Sequence, residues 1–329
     1  MLDPRSLPGY EFQEAIYEGA DSLIYRARRA SDQCLVIIKT GNARHLLPEF
    51  RARLRREYSI GSSLPSDIAP YLDLVETAQG PALVMKDTGG VPLSQWLPDS
   101  LKKLLEGTLR IALGLDIIHE TGIVHRDIKP QNIILDPRTL HPAIIDYGIA
   151  SRLVSRNDAA LQAERLEGTL LYMAPEQTGR TNRRVDHRSD LYSLGATFYE
   201  LITGQPPYPL KDSLQLIHAH LASTPAPIQK DRNGNFVPAI VNDIVQKLMS
   251  RDPDARYQTA MGLAQDLKKC LQLLEGKNQI PPFETGQLDF PRGLTIPQKL
   301  YGRQRELQQI HSALENSPTL VLVTGPSGS

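Results

Sequence analysis

Between residues 10 and 40 apolar and polar side chains alternate, with Tyr17, Ile24, Tyr25, Val36, Ile37 and Ile38 supplying aromatic and β-branched content. A period of two puts successive residues on opposite faces of an extended chain, so this stretch predicts three short antiparallel strands. The period then changes. Over 48–61, Phe50, Leu54 and Tyr58 recur at helical spacing among many arginines, which predicts a helix with its arginines turned outward. Leu83-Val84-Met85 predicts a further buried strand, and Gly89-Gly90 interrupts the chain shortly after it. From 101 to 120, Leu101, Leu104, Leu105, Leu109, Ala112, Leu113 and Ile117 trace one helical face. Asp190 to Thr203 repeats that pattern with Leu191, Leu194, Phe198, Leu201 and Ile202 inward. A small antiparallel sheet lobe therefore precedes a larger helical lobe, an α+β bilobal arrangement with a cleft between.

After about residue 273 the pattern weakens. Gly276, Pro281-Pro282, Gly286, Pro291, Gly293 and Pro297 punctuate a stretch that no amphipathic helix could cross, and 273–300 is expected to be a linker. Tyr301-Gly302-Arg303-Gln304-Arg305-Glu306 resumes a helical pattern, and Leu320-Val321-Leu322-Val323 predicts a strand running into Gly325-Pro326-Ser327-Gly328-Ser329. That ending is the front half of a P-loop, G-x-x-x-x-G-K-S/T, without its second glycine, its lysine and its hydroxyl residue, so 301–329 is expected to be the truncated start of a P-loop ATPase domain within a longer chain. As it stands it should bind no nucleotide.

Composition narrows the class further. Among 329 residues, Lys+Arg and Asp+Glu both total 37, so no overall field favours nucleic acid or an acidic membrane surface. Cys34 and Cys270 lie far apart without metal-ligand spacing, consistent with reduced thiols of a cytoplasmic protein. No apolar run approaches the roughly 18–20 residues of a membrane span.

The chemistry concentrates in three ordered blocks: His125-Arg126-Asp127-Ile128-Lys129-Pro130-Gln131-Asn132, then Asp146-Tyr147-Gly148, then Ala174-Pro175-Glu176. With these blocks, with Gly168-Thr169-Leu170-Leu171-Tyr172-Met173 before the third, and with Arg251-Asp252-Pro253-Asp254-Ala255-Arg256-Tyr257, residues 10–272 resemble bacterial Ser/Thr protein kinases of the eukaryotic-like, Hanks type. The resemblance implies a protein-kinase fold, with a first lobe over about 10–88, a second over about 89–272, and ATP between them. Phosphoryl transfer through a loose transition state needs mainly positioning and charge neutralisation, so the implied roles are cations, metal ligands and a base. By resemblance Asp127 is the base and Lys129 reaches the transferring phosphate, a lysine that favours Ser/Thr over Tyr substrates. Asn132 and Asp146 match the two ligands for Mg2+ or Mn2+. Lys39, ending Val36-Ile37-Ile38-Lys39, matches the strand lysine on the α- and β-phosphates. Glu57 is its expected helix partner, since Glu49 lies too close in sequence to Lys39 to reach it from mid-helix.

The nucleotide loop departs from the family. Aligning Ile24-Tyr25 with the usual Val-Tyr puts Tyr17, Gly19 and Ser22 at the three glycine positions, with Ile16 and Ile24 flanking them. Ile37 replaces the usual alanine above adenine. Met85 falls at the gatekeeper, and Lys86-Asp87-Thr88 at the hinge, with Lys86 and Thr88 expected beside the nucleotide. Glu176 with Arg256, and Asp190 beneath the catalytic loop, match architectural positions. Thr169 matches a hydroxyl bridging Asp127 and Lys129.

Arg126 beside the base suggests an activation segment ordered by negative charge. Only Ser151 and Ser155 are available early in that segment, while Glu164 and Glu167 precede Gly168 and are expected to supply carboxylates or simply to face water. The basic run Arg180, Arg183, Arg184 and Arg188 is expected either to be solvated or to meet substrate or those glutamates. An ATP-dependent Ser/Thr protein kinase, acting on protein substrates beside ATPase or sensor modules of the same chain, is the implied function. A nucleotide-binding pseudokinase is the alternative, supported only by the degenerate glycine loop; a small-molecule phosphotransferase would lack the 168–176 segment.

Overall fold

The computed structural model describes residues 7–19, 22–42, 48–77, 80–152, 170–277, 280–291 and 312. The chain divides into two compact units, Met1–Phe290 and Pro291–Ser329, and the elements named below lie in the first. Its smaller lobe is one antiparallel sheet of β1 (Tyr10–Glu18), β2 (Ser22–Arg29), β3 (Leu35–Gly41), β4 (Tyr71–Thr77) and β5 (Gly80–Lys86), in spatial order β1-β2-β3-β5-β4. The alternation that predicts β1 to β3 also divides their faces. Val36 and Ile38 join Ala27, Ala82 and Val84 in a small outer core. Ile37, paired with Met85, and Lys39, paired with Leu83, turn to the other face of the pleat. The helix α1 (Pro48–Gly61) covers that face, burying Phe50, Leu54 and Glu57.

The larger lobe continues as β6 (Val91–Pro92), α2 (Leu101–Glu120), β7 (Ile123–Val124), β8 (Ile133–Leu135), β9 (Pro142–Ile144), β10 (Ser151–Arg152), α3 (His187–Thr203), α4 (Ser213–Ala222), α5 (Ala239–Leu248) and α6 (Ala260–Lys277). Ser100 caps α2 by accepting from the Lys103 N–H (3.3 Å), and Asp186 caps α3 from the Arg188 N–H (2.9 Å). Two short ribbons, β6-β8-β9 and β7-β10, hold the loop 125–132 between the lobes. One apolar core runs from Leu54 and Met85 through Leu115 and Leu194 to Leu267, so the lobes share a continuous interior. No helix among the described residues is long and apolar enough to cross a membrane.

The expected linker over 273–300 differs from the structure in its first half. α6 continues to Lys277, and residues 280–290 lie on the helical lobe as a strap with Ile280 buried. Lys247 Nζ donates to the Thr285 carbonyl (2.8 Å) and the Gly286 N–H to Asp266 (2.6 Å). Asp289 accepts from the Gln258 and Thr259 N–H groups and from the Thr259 hydroxyl (2.7 Å), directly before α6. Prolines and glycines exclude a helix there, but an irregular chain still packs when its polar groups find partners. The sequence patterns at 301–306 and 320–329 lie outside the described residues.

Candidate active site

Asp127, Lys129 and Asn132 belong to one turn of chain and meet one another. Lys129 Nζ lies 2.8 Å from Asp127 Oδ2, and Asn132 Nδ2 donates to the Asp127 carbonyl and to Oδ2, each at 2.9 Å. These bonds use the amide nitrogen of Asn132; its oxygen is the atom suited to a hard cation. The turn is anchored from below by Asp190 in α3, which accepts the N–H groups of His125 (2.8 Å) and Arg126 (2.7 Å) and contacts His119 Nε2 (2.9 Å). Burial alone would raise the Asp190 carboxyl, but His119, His125 and these backbone donors outweigh it and hold the pKa below the ordinary aspartate value.

Two non-glycine residues here adopt left-handed backbone, Arg126 (φ 69°) and Asp146 (φ 67°). Such conformations cost on the order of 1–3 kcal/mol and persist when surrounding bonds fix them. Asp190 holds the Arg126 N–H, and Gln177 Nε2 donates to the Arg126 carbonyl (2.8 Å) while its Oε1 accepts from the Ala174 N–H (3.1 Å). Tyr71 Oη accepts from the Asp146 N–H (2.9 Å) and donates to Glu57 (3.0 Å). The same tyrosine thus ties β4, α1 and the Asp146 turn.

Across the cleft, Lys39 Nζ sits 2.8 Å from Glu57 Oε2 and 3.4 Å from Asp146 Oδ1. Burial disfavours the Lys39 ammonium, yet Asp146 and Glu57 together raise its pKa, so it stays charged. Burial raises the Asp146 carboxyl, but Lys39 and Arg53 overcome this and lower its pKa, leaving an ionised oxygen donor. A cavity of about 670 Å³ opens between the lobes, in the range of small-molecule sites. Of the sequence-predicted residues, Ile16, Tyr17, Ser22, Ile24, Ile37, Lys39, Glu57, Met85, Lys86, Thr88, Lys129, Asn132 and Asp146 line it. Gly19 and Asp127 do not; Asp127 reaches it through Lys129 and Asn132.

The Tyr17 ring lies against Gly19, where a Cβ would fall 2.5 Å from Tyr17 Cε1 and would displace that half-exposed ring. The site also contains groups that sequence reasoning missed. Arg26 of β2 bonds hinge residue Asp87 (2.7 Å), and both flank the cavity mouth. Ile134 and Ile145 line its floor, as their place beside Asn132 and Asp146 could have indicated. Arg53 corrects the expectation that the α1 arginines face outward: one helical turn before Glu57, it shares the inner face and bonds both oxygens of Asp146 at 2.9 Å.

Beyond the cleft, Arg256 makes two bonds to Glu176 (2.6 and 2.8 Å), and the pair is buried. The basic run is not a free surface throughout. Arg183 pairs with Asp252 and Asp254, and Arg188 with Asp186 and Asp254, while Arg180 and Arg184 are exposed. Ser151 is buried in β10, paired with Val124, which places one of the two early serines out of reach of a modifying enzyme. Ser155, Glu164, Glu167, Gly168 and Thr169 lie outside the described residues.

Oxygen donors from Asn132 and Asp146 beside two lysines on one cavity suit Mg2+ carried with a polyphosphate. Comparison with known proteins identifies the family. A family model for the protein kinase domain matches residues 10–268. A probable serine/threonine-protein kinase of Streptomyces coelicolor is 34% identical over 283 residues, covering 82% of this chain and 41% of that protein. The serine/threonine-protein kinase PknB of Mycolicibacterium smegmatis is 32% identical over 281 residues, covering 81% and 44%. A hybrid signal transduction histidine kinase of Dictyostelium discoideum is 39% identical over 184 residues, 49% of this chain but 5% of that protein. The chain spans about two fifths of the length of the first two relatives. From the cleft between a five-stranded lobe and a helical lobe, the ordered loop 125–132 and the match over 10–268, this chain belongs to the protein kinase domain family.

Proposed function

We propose that residues 10–290 transfer the γ-phosphoryl group of ATP to Ser or Thr hydroxyls of protein substrates. The observation that carries this is the convergence of Asp127, Lys129 and Asn132 in one bonded turn, facing Lys39 and Asp146 across a single cavity. Asp127 accepts the proton of the attacking hydroxyl as the new O–P bond forms and the bond to the leaving ADP oxygen breaks. Lys129, 2.8 Å from Asp127, screens charge between base and phosphate. Lys39, held by Glu57, fixes the α- and β-phosphates. Mg2+ held by Asn132 and Asp146 would supply neutralisation of the phosphate charge. Ile37, Met85, Ile134 and Ile145 offer an apolar slot for the base of the nucleotide. The likeness to part of a hybrid signal transduction histidine kinase supports placing this kinase beside further signalling modules; the glycine-rich motif at 325–329 is the ground for reading 301–329 as the start of an ATPase domain.

The test is transfer of label from ATP with Mg2+ to a protein substrate, comparing wild type with Asp127→Asn and Lys39→Met. Each substitution is expected to lower the rate by roughly two to four decades while thermal unfolding stays cooperative. Retained turnover in both purified variants, or a product that is mainly phosphotyrosine, would defeat the assignment.

A further inference from the structure

Four charged side chains form a chain of contacts at the nucleotide cavity, three of them lining it. Glu57 meets Lys39 at 2.8 Å, Lys39 meets Asp146 at 3.4 Å, and Asp146 meets Arg53 at 2.9 Å. Arg53 and Glu57 stand one turn apart on α1, so the series closes on the helix where it began. The charges alternate and cancel, two cations against two anions. One guanidinium nitrogen of Arg53 is equidistant, 2.9 Å, from both oxygens of Asp146. That is the chelating position of a carboxylate.

The arrangement is sterically built. The Arg53 side chain crosses directly over Gly148, where a Cβ would fall 2.6 Å from Arg53 Cγ. A residue larger than glycine at 148 would close that path. Arg53 is not among the residues that line the cavity, although its partner Asp146 is.

We propose that Arg53 is a positioning residue, the resident counter-cation of Asp146, and that a divalent metal competes with its guanidinium for this carboxylate. Because the four charges already cancel, Mg2+ alone meets no excess of negative charge at Asp146. Mg2+ arriving with a triphosphate brings its own anions and can take the ligand from Arg53. Arg53 thereby ties metal occupancy to the nucleotide and to the position of α1, since the guanidinium that yields Asp146 is carried by the helix that carries Glu57. This role rests on the nucleotide-binding reading of the cleft.

The experiment measures binding of a fluorescent ATP analogue with saturating Mg2+ and with EDTA, giving for each protein the ratio of the two dissociation constants. Wild type, Arg53→Met and Arg53→Lys are compared, with Arg53→Gln measured in place of Arg53→Met if the latter does not unfold cooperatively. Removing a unit charge beside a metal ligand is expected to enlarge the Mg2+ enhancement by about tenfold in Arg53→Met. Arg53→Lys, which retains the charge on a shorter side chain with a different head group, should fall between. An enhancement in Arg53→Met equal to or smaller than wild type overturns the proposal. Wild type that binds neither form of the nucleotide overturns the kinase reading itself, and this inference with it.

Discussion

Breaking the Glu176–Arg256 pair from either end should have unequal consequences, and the asymmetry can be worked from its contacts. The side chains are 2% and 0% exposed, so whichever partner remains stays buried as a charge. Removing one member of a buried pair costs on the order of 3–5 kcal/mol. After Glu176→Ala, Arg256 still donates to the carbonyls of Ser250 (2.7 Å), Arg188 (3.0 Å) and Arg251 (3.2 Å) and lies 4.9 Å from the Tyr192 ring centre. That cation is partly satisfied, and a loss near the lower end, about 3 kcal/mol, is expected. After Arg256→Ala, the Glu176 carboxylate keeps only the Ser189 hydroxyl (2.7 Å) among these partners, three carbonyls lose their donor, and a cavity opens beneath Tyr192. This loss should reach about 5 kcal/mol. The double variant strands neither charge and should cost about 5 kcal/mol, well short of the sum. Urea unfolding of all four proteins, read as midpoint and slope, measures the cycle. A Glu176→Ala loss equal to or larger than that of Arg256→Ala, or additivity within about 0.5 kcal/mol, refutes the reasoning.

Single contacts set three further outcomes. Burial pushes the His220 imidazole down to about 4, below its unfolded value of about 6.5, so protonation favours the unfolded chain. Its stabilising contribution, complete above pH 6.5, is lost as pH falls toward 4, by at most about 3 kcal/mol; His220→Gln should flatten unfolding free energy across that window, and an unchanged slope would exclude His220 as its source. Tyr147 Oη is buried and has no hydrogen-bond partner among the described residues, so Tyr147→Phe should be neutral or raise the melting temperature by a few degrees, roughly 2–4 °C per kcal/mol; a fall of similar size would mean the hydroxyl is bonded. Asp289→Ala should lower stability by about 1–2 kcal/mol through loss of the bonds at the start of α6, and a protein ending at residue 277 should melt lower still; equal melting of both with wild type would show the strap to be idle.

Much of the architecture is legible because its signals are local. The period of two at Val36-Ile37-Ile38-Lys39 separates the outer core from the cleft face, and the eighteen-residue offset from Lys39 selects Glu57 over Glu49 on α1. What escapes is long-range. Arg53 reads as one more surface arginine until Gly148 and Asp146, distant in sequence, are brought beside it. The Arg26–Asp87 pair joins a strand to the hinge across sixty-one positions, and no spacing rule selects it. β4 is not legible because its side chains are mostly half-exposed, and a strand without a strongly apolar face carries little pattern. The strap reads as a linker because turn residues mark an absence of helix, whereas Ile280 and Asp289 reveal their role only against α5 and α6.

The strap's attachment gives the protein a mechanical property at its exit. Asp289 grips the backbone of Gln258 and Thr259, and Gln258 in turn bonds Arg188 while its carbonyl receives His187 at the first turn of α3. Tension applied to the chain beyond residue 290 therefore loads this junction before it can unwind α6 from its far end. The junction lies one residue from Tyr257 and two from Arg256, which is paired with Glu176. A pull of this kind would be delivered to the Glu176–Arg256 pair in the helical lobe, while the sheet and α1 of the smaller lobe carry none of these contacts.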